Sequence, residues 1–104
     1  MLSKRIYISG QITGLPRNEW FAKFEKAEQH FLAAGYSVVN PAKNMMKLTY
    51  DEYMAIDLML LENCDAIYML DNWKKSKGAC QELEKARQLA LEILYEGDDG
   101  GYNA

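Results

Sequence analysis

Apolar positions along this chain follow two rhythms. Four short runs are dense in apolar, β-branched or aromatic residues: Lys4 to Ser9 (KRIYIS), Tyr36 to Val39 (YSVV), Ala66 to Leu70 (AIYML) and Glu92 to Tyr95 (EILY). Gly10 follows the first and Asn40-Pro41 closes the second, so each reads as a strand bounded by a turn. Between them the apolar residues return every three or four positions. Trp20, Phe24, Ala27, Phe31 and Ala34 form a helical stripe over 18–34, with Gly35 as its stop. Thr49-Tyr50-Asp51-Glu52 is a capping box, which opens a second helix whose stripe is Tyr53, Met54, Leu58 and Leu61 and which ends near Asn63. Ala79, Leu83, Ala86 and Ala90 place a third helix over 76–91.

The order is β-α-β-α-β-α-β. Short strands joined by helical crossovers predict a parallel sheet covered on both faces, and the almost wholly apolar Ala66 to Leu70 suits its centre. The expectation is a small doubly wound, Rossmann-like α/β domain with four strands in the order 2-1-3-4 and three helices. Residues 1–96 are read as this one domain. From Gly97 to Ala104 the periodicity is lost, so 97–104 is expected to be a flexible tail.

Composition narrows the classes of function. Lys and Arg number 12 against 15 Asp and Glu, a net charge of -3, so the basic excess of a nucleic-acid binder is missing. Cys64 and Cys80 match no zinc spacing and His30 is the one histidine, so no metal or other cofactor is expected. No apolar run is long enough to span a membrane, and the N-terminus does not read as a signal peptide. A cytoplasmic location is expected, with the two cysteines reduced and buried as small apolar residues.

In a doubly wound sheet, ligands bind beyond the carboxyl ends of the strands where the strand order reverses. That rule selects the loops after the first and third strands. In the first, Gly10 and Gly14 permit close approach of backbone to a ligand and Arg17 is available to an anion; equally, this is a strand-to-helix turn that needs glycine. The second, Asp71-Asn72-Trp73-Lys74-Lys75-Ser76-Lys77-Gly78, gathers three lysines and a serine at a helix N-terminus. There a phosphate or carboxylate meets free N–H groups and the positive dipole end; the alternative is a solvated basic turn with Ser76 as its cap. Asp57 shares the second helix's sheet-facing stripe, where a carboxylate needs partners, whether structural or functional. Glu82, with Ala86 and Leu89 at i+4 and i+7, flanks the apolar side of the third helix, a position that also suits a surface residue. Asp65 opens the third strand at the opposite end of the sheet and reads as a turn or cap. Met45 and Met46 read as filling under a loop.

Several of these segments together resemble the nucleoside 2-deoxyribosyltransferase superfamily. Tyr7 to Gly14 (YISGQITG) is similar to its opening strand and glycine turn. Ser76-x-Gly78-x-x-x-Glu82-Leu83 is similar to its nucleophile motif, and Asp57-x7-Asp65 to the acidic pattern between them. Asn40-Pro41-Ala42, Tyr53 to Asp57 and Trp73 to Ala79 resemble the small bacterial and phage members, and the likeness covers about 5–95. Glu84 and Cys80 stand where active relatives usually carry glycine. The resemblance implies that Glu82 is a nucleophile, that Asp57 assists the departing base and that Tyr7 orients Glu82. It implies a substrate site at Gly10, Gly14, Arg17, Ser76 and Gly78, where serine at 76 leans towards a 5′-monophosphate. The activity implied is that of an N-glycosidase or deoxyribosyl transferase on a (deoxy)nucleoside 5′-monophosphate, through a covalent glycosyl-enzyme. The alternative is a nucleotide-binding or sensing module of the same fold without catalysis. The partners expected are a small nucleotide or nucleoside and further copies of the chain, with Tyr50, Met54 and Met59 as an exposed patch for pairing.

Overall fold

A computed structural model describes residues 3–44 and 48–97 of the chain. Its four strands are β1 (Arg5–Ser9), β2 (Ser37–Val39), β3 (Ala66–Met69) and β4 (Glu92–Tyr95). They form one parallel sheet in the order β2-β1-β3-β4, with Tyr7 level with Val39 on one side and Ile67 on the other. The helices are α1 (Arg17–Ala33), α2 (Tyr50–Leu61) and α3 (Lys77–Gln88), with short 3-10 turns at Pro41–Asn44 and Trp73–Lys75. The predicted element order and sheet order are those of the structure, with boundaries displaced by at most three residues.

The central strands are buried on both faces, and their period of two divides the core. Ile6 and Ile8 of β1, with Ala66, Tyr68 and Leu70, pack against Trp20, Phe24, Ala27 and Phe31 of α1. Tyr7, with Ile67 and Met69, faces the other way, against Leu61 of α2 and Ala79, Leu83 and Ala86 of α3. Burying a side chain such as Phe24 or Phe31 contributes roughly 1.5–3 kcal/mol, so the α1 stripe is enough to fix that helix on the sheet.

The termini of the helices follow from local chemistry. At α2, Glu52 N–H donates to Thr49 Oγ1 and Thr49 N–H to Glu52 Oε1, completing the capping box. Beyond α1, Tyr36 N–H donates to the Phe31 carbonyl and Gly35 N–H to that of Leu32. Gly35 takes a φ of 93° there, and the Tyr36 ring packs edge-on against Phe31. The same paired bonds end α3, from Leu91 to Ala86 and from Ala90 to Arg87, but the left-handed position is Ala90, at a φ of 58°. At the amino edge of the sheet, Asp65 accepts from the Arg5 N–H at 2.9 Å and so acts as the cap the sequence suggested.

Two expectations are corrected. Cys80 is exposed rather than buried, because it lies on the outer side of α3, away from Ala79 and Leu83; Cys64 is buried. Met54 is buried against Gly78 and does not join an exposed patch, whereas Tyr50 and Met59 are exposed, together with Ile56. Met45 and Met46, and the tail beyond Gly97, lie outside the described residues.

Ala90 holds a conformation that costs an L-residue about 1 kcal/mol and glycine almost nothing. Ala90→Gly is therefore expected to stabilise the fold by up to about 1 kcal/mol, read as a higher denaturant midpoint at unchanged m-value. A lower midpoint would contradict it.

Candidate functional site

At the carboxyl ends of β1 and β3 the sheet opens into a cleft of about 600 Å³. Gly10, Ile12 and Thr13 after β1 form one wall, with Pro41 and Leu48. Tyr53, Met54, Ile56, Asp57 and Leu60 of α2 form another. Lys75, Ser76, Lys77, Gly78, Ala79 and Glu82 supply the third from the start of α3. The cleft thus lies at the reversal point of the strand order, where both loops selected from the sequence meet. They are tied together by Asn72, whose Oδ1 accepts from the Gln11 N–H at 3.0 Å.

Glu82 is 5% exposed. It occupies the inward stripe of α3 with Ala79, Leu83 and Ala86, so helical spacing drives a carboxyl group into the core. The strand beneath it supplies the partners. Tyr7 and Ser9, two residues apart on β1, point to the same face of the sheet. Tyr7 Oη donates to Glu82 Oε2 at 2.7 Å, and Ser9 Oγ to Glu82 Oε1 at 2.6 Å. Both distances fall in the short range of hydroxyl bonds to a carboxylate. Asp57, half-buried on α2, completes the group and interacts with both Glu82 and Tyr7.

Burial dominates the electrostatics. It pushes the Glu82 carboxyl up to about 8, and the neighbouring Asp57 charge adds to the rise, while the bonds from Ser9 and Tyr7 oppose it. Asp57 is also raised, first by burial, against the pull of its bonds with Glu82 and Tyr7. Tyr7 is driven well above the usual phenol range, by burial and then by the Glu82 charge, so its hydroxyl remains a donor. At neutral pH the two carboxyls therefore retain a proton between them. Two carboxyls, one proton and a fixed phenol beside an open cleft can attack a carbon centre and protonate a leaving group.

The cation-rich wall is built on the N-terminus of α3. Ser76 Oγ accepts from the Ala79 N–H at 3.0 Å, which makes it the helix cap. Lys75 and Lys77 border the cleft, with Lys77 Nζ 5.7 Å from the centre of the Tyr50 ring, while Lys74 stacks over Trp73. At Gly78 a Cβ would come within 3.2 Å of Met54 Sδ, so the small residue admits α2. At Gly10 a Cβ would stand 2.6 Å from Leu70 Cδ1, so close packing alone requires glycine there.

The structure brings together Glu82, Asp57, Tyr7, Gly10, Ser76 and Gly78. Gly14 and Arg17 are not among the residues lining the cleft: Gly14 lies in the exposed turn before α1, and Arg17 lies over the Phe21 ring. The sequence reading passed over Ser9. Its signal was present, since a hydroxyl two residues after Tyr7 in an otherwise apolar strand shares Tyr7's face. On α2 it found Asp57 but not the cleft-lining Tyr53, Met54, Ile56 and Leu60 around it, the first two having been read as packing stripe.

Among the described residues no helix is long and apolar enough to cross a membrane. A family model described as a domain of unknown function, DUF4406, matches residues 4–95. No curated protein matches the chain. Among solved structures, a 2-deoxyribosyltransferase from Leishmania mexicana superposes with a TM-score of 0.71 at 20% identity, over 89% of this chain and 63% of its own. The chain thus spans less than two thirds of that enzyme's length. The CMP N-glycosidase BcmB from Clostridium botulinum gives a TM-score of 0.64 at 16% identity, over 97% of this chain and 75% of its own. The solution structure of BlsM gives 0.65 at 16%, over 92% and 82%. The fold is nucleoside 2-deoxyribosyltransferase-like.

Because Glu82 binds its proton more tightly folded than unfolded, its contribution to stability is full below the ordinary glutamate range. It is lost as pH rises towards about 8. Glu82→Gln removes that loss. Its stability relative to the parent should climb across this window with a slope of up to about 1.4 kcal/mol per pH unit. Denaturant titrations from pH 5 to 9 measure it, and parallel curves for the two proteins would refute it.

Proposed function

The chain belongs to the DUF4406 family, and from that premise we propose that it cleaves or transfers the N-glycosidic bond of a (deoxy)nucleoside 5′-monophosphate. The observation that carries this reading is the buried Glu82, held by Tyr7 and Ser9 beside Asp57 at the foot of an open cleft. Structural neighbours named as a deoxyribosyltransferase and a CMP N-glycosidase support it.

In this reading a Glu82 oxygen attacks C1′ of the sugar, and the C1′–N bond breaks with its electron pair going to the base. Asp57 delivers its proton to that base nitrogen, and a glycosyl ester with Glu82 results. Water then attacks C1′, its proton returns to Asp57, and Glu82 leaves as carboxylate; a second base in place of water gives transfer. The pair retains a proton, which passes to Asp57 as Glu82 ionises and is then available for departure of the base. Binding of the substrate, with positive charge developing on the sugar beside Glu82, favours that carboxyl's ionised form. Lys75, Lys77 and the cap of α3 at Ser76 suit the 5′-phosphate, a local cationic rim on a chain of net charge -3.

Incubation with each (deoxy)nucleoside 5′-monophosphate should release free base, seen by chromatography. Glu82→Ala should lower the rate at least about 10³-fold, and Asp57→Asn by about 10²–10⁴-fold. Raised salt should weaken binding of the monophosphate more than that of the nucleoside. Absence of base from every substrate, with folded protein, rejects catalysis; thermal stabilisation by nucleotides in that case identifies a binding module.

A further inference from the structure

Tyr7 alone would leave the Glu82 carboxyl free to turn about its last bond. Ser9 removes that freedom. Its hydroxyl is fully buried at the end of β1 and donates to the oxygen that Tyr7 does not hold. Each oxygen of Glu82 therefore has a donor from one strand, and the plane of the carboxyl group is fixed relative to the cleft. A backbone position on the central strand sets both donors, because residues two apart on β1 must emerge on one face.

We propose that Ser9 is a positioning residue for the Glu82 carboxylate, locking Oε1 so that the group meets the cleft in one orientation and in its ionised form. The proposal rests on the reading of Glu82 as nucleophile for its consequence in turnover, but its physical content stands on the two bonds from β1. Glu82 is faced by Tyr7 and Ser9 from β1 and by Asp57 and Tyr50 from α2, and Lys75 and Lys77 line the same wall of the cleft. Of these, Ser9 and Tyr7 are the hydroxyls that bind its two oxygens. Two donors are what allow a carboxylate to form at a site this dry. Asp57 acts in the opposite sense, since a second negative charge resists ionisation of Glu82.

Ser9→Ala and the nearly isosteric Ser9→Cys, whose thiol is a weak donor, remove the bond while keeping the side chain small. The probe is the carbon-13 resonance of the Glu82 carboxyl, assigned by its loss in Glu82→Gln and followed from pH 4 to 10 in folded protein. Both variants should titrate at least about one pH unit higher than the parent. In base release from nucleoside 5′-monophosphates, kcat below that titration should fall about tenfold, recover at higher pH, and leave KM within about threefold. A side chain that only fills space would lower stability and move neither the resonance nor the pH profile. An unmoved resonance in both variants overturns the proposal. If the parent releases no base from any nucleotide, the catalytic reading fails separately, and a displaced resonance still upholds the role of Ser9.

Discussion

Everything in the cleft depends on keeping one carboxyl group almost wholly out of water at the foot of an opening. A buried carboxylate without partners is too costly to retain, and a buried carboxylic acid without a route to ionisation is chemically idle. The chain meets both constraints by placing Glu82 over the central strand, where Tyr7 and Ser9 approach from below and Asp57 from the side. The hydroxyls and the second acid pull the proton affinity in opposite directions, and burial sets the outcome. The sheet is then less a scaffold near the site than a part of it.

The two loops at the mouth serve this arrangement. Gly10 brings the backbone against Leu70, and Asn72 ties the loop after β3 to Gln11. Farther out, Lys23 of α1 bridges Asp71 at 2.9 Å and Glu96 at 3.6 Å, so the ends of β3 and β4 are joined to the opposite helical layer. The cationic turn and the start of α3 are held from behind by these contacts. Lys75 of that turn and Lys77 of α3 line the cleft.

The architecture was legible in the sequence because its signals are local and repeated. The α1 stripe, the Thr49–Glu52 box and the apolar AIYML run each have one comfortable structural reading, and their alternation fixes a parallel sheet. Glu82 was harder. Its neighbours at three and four residues place it on the buried stripe, yet a glutamate's own preference is for water, and only resemblance to a known motif resolved the conflict. Ser9 escaped because a serine beside a glycine reads as the end of a strand. Its partner lies 73 residues away, and no periodicity spans that distance. Arg17 drew attention by charge alone, but the turn of α1 carries it over Phe21 instead of towards the cleft. Cys80 was misplaced for a similar reason, since composition suggests burial whereas the helical angle turns it outward.

The alternation along β1 has a further consequence. Ile6 and Ile8 anchor α1, while Tyr7 and Ser9 seize the acid of α3, so four consecutive residues serve the helices on opposite faces of the sheet. A shift of the strand by one residue would exchange the two sets, placing isoleucines against the carboxyl and hydroxyls against the phenylalanines of α1. Correct pairing of a single strand is thus the event that creates the core and the chemistry together. The register that buries the isoleucines is therefore the same one that gives Glu82 its two donors.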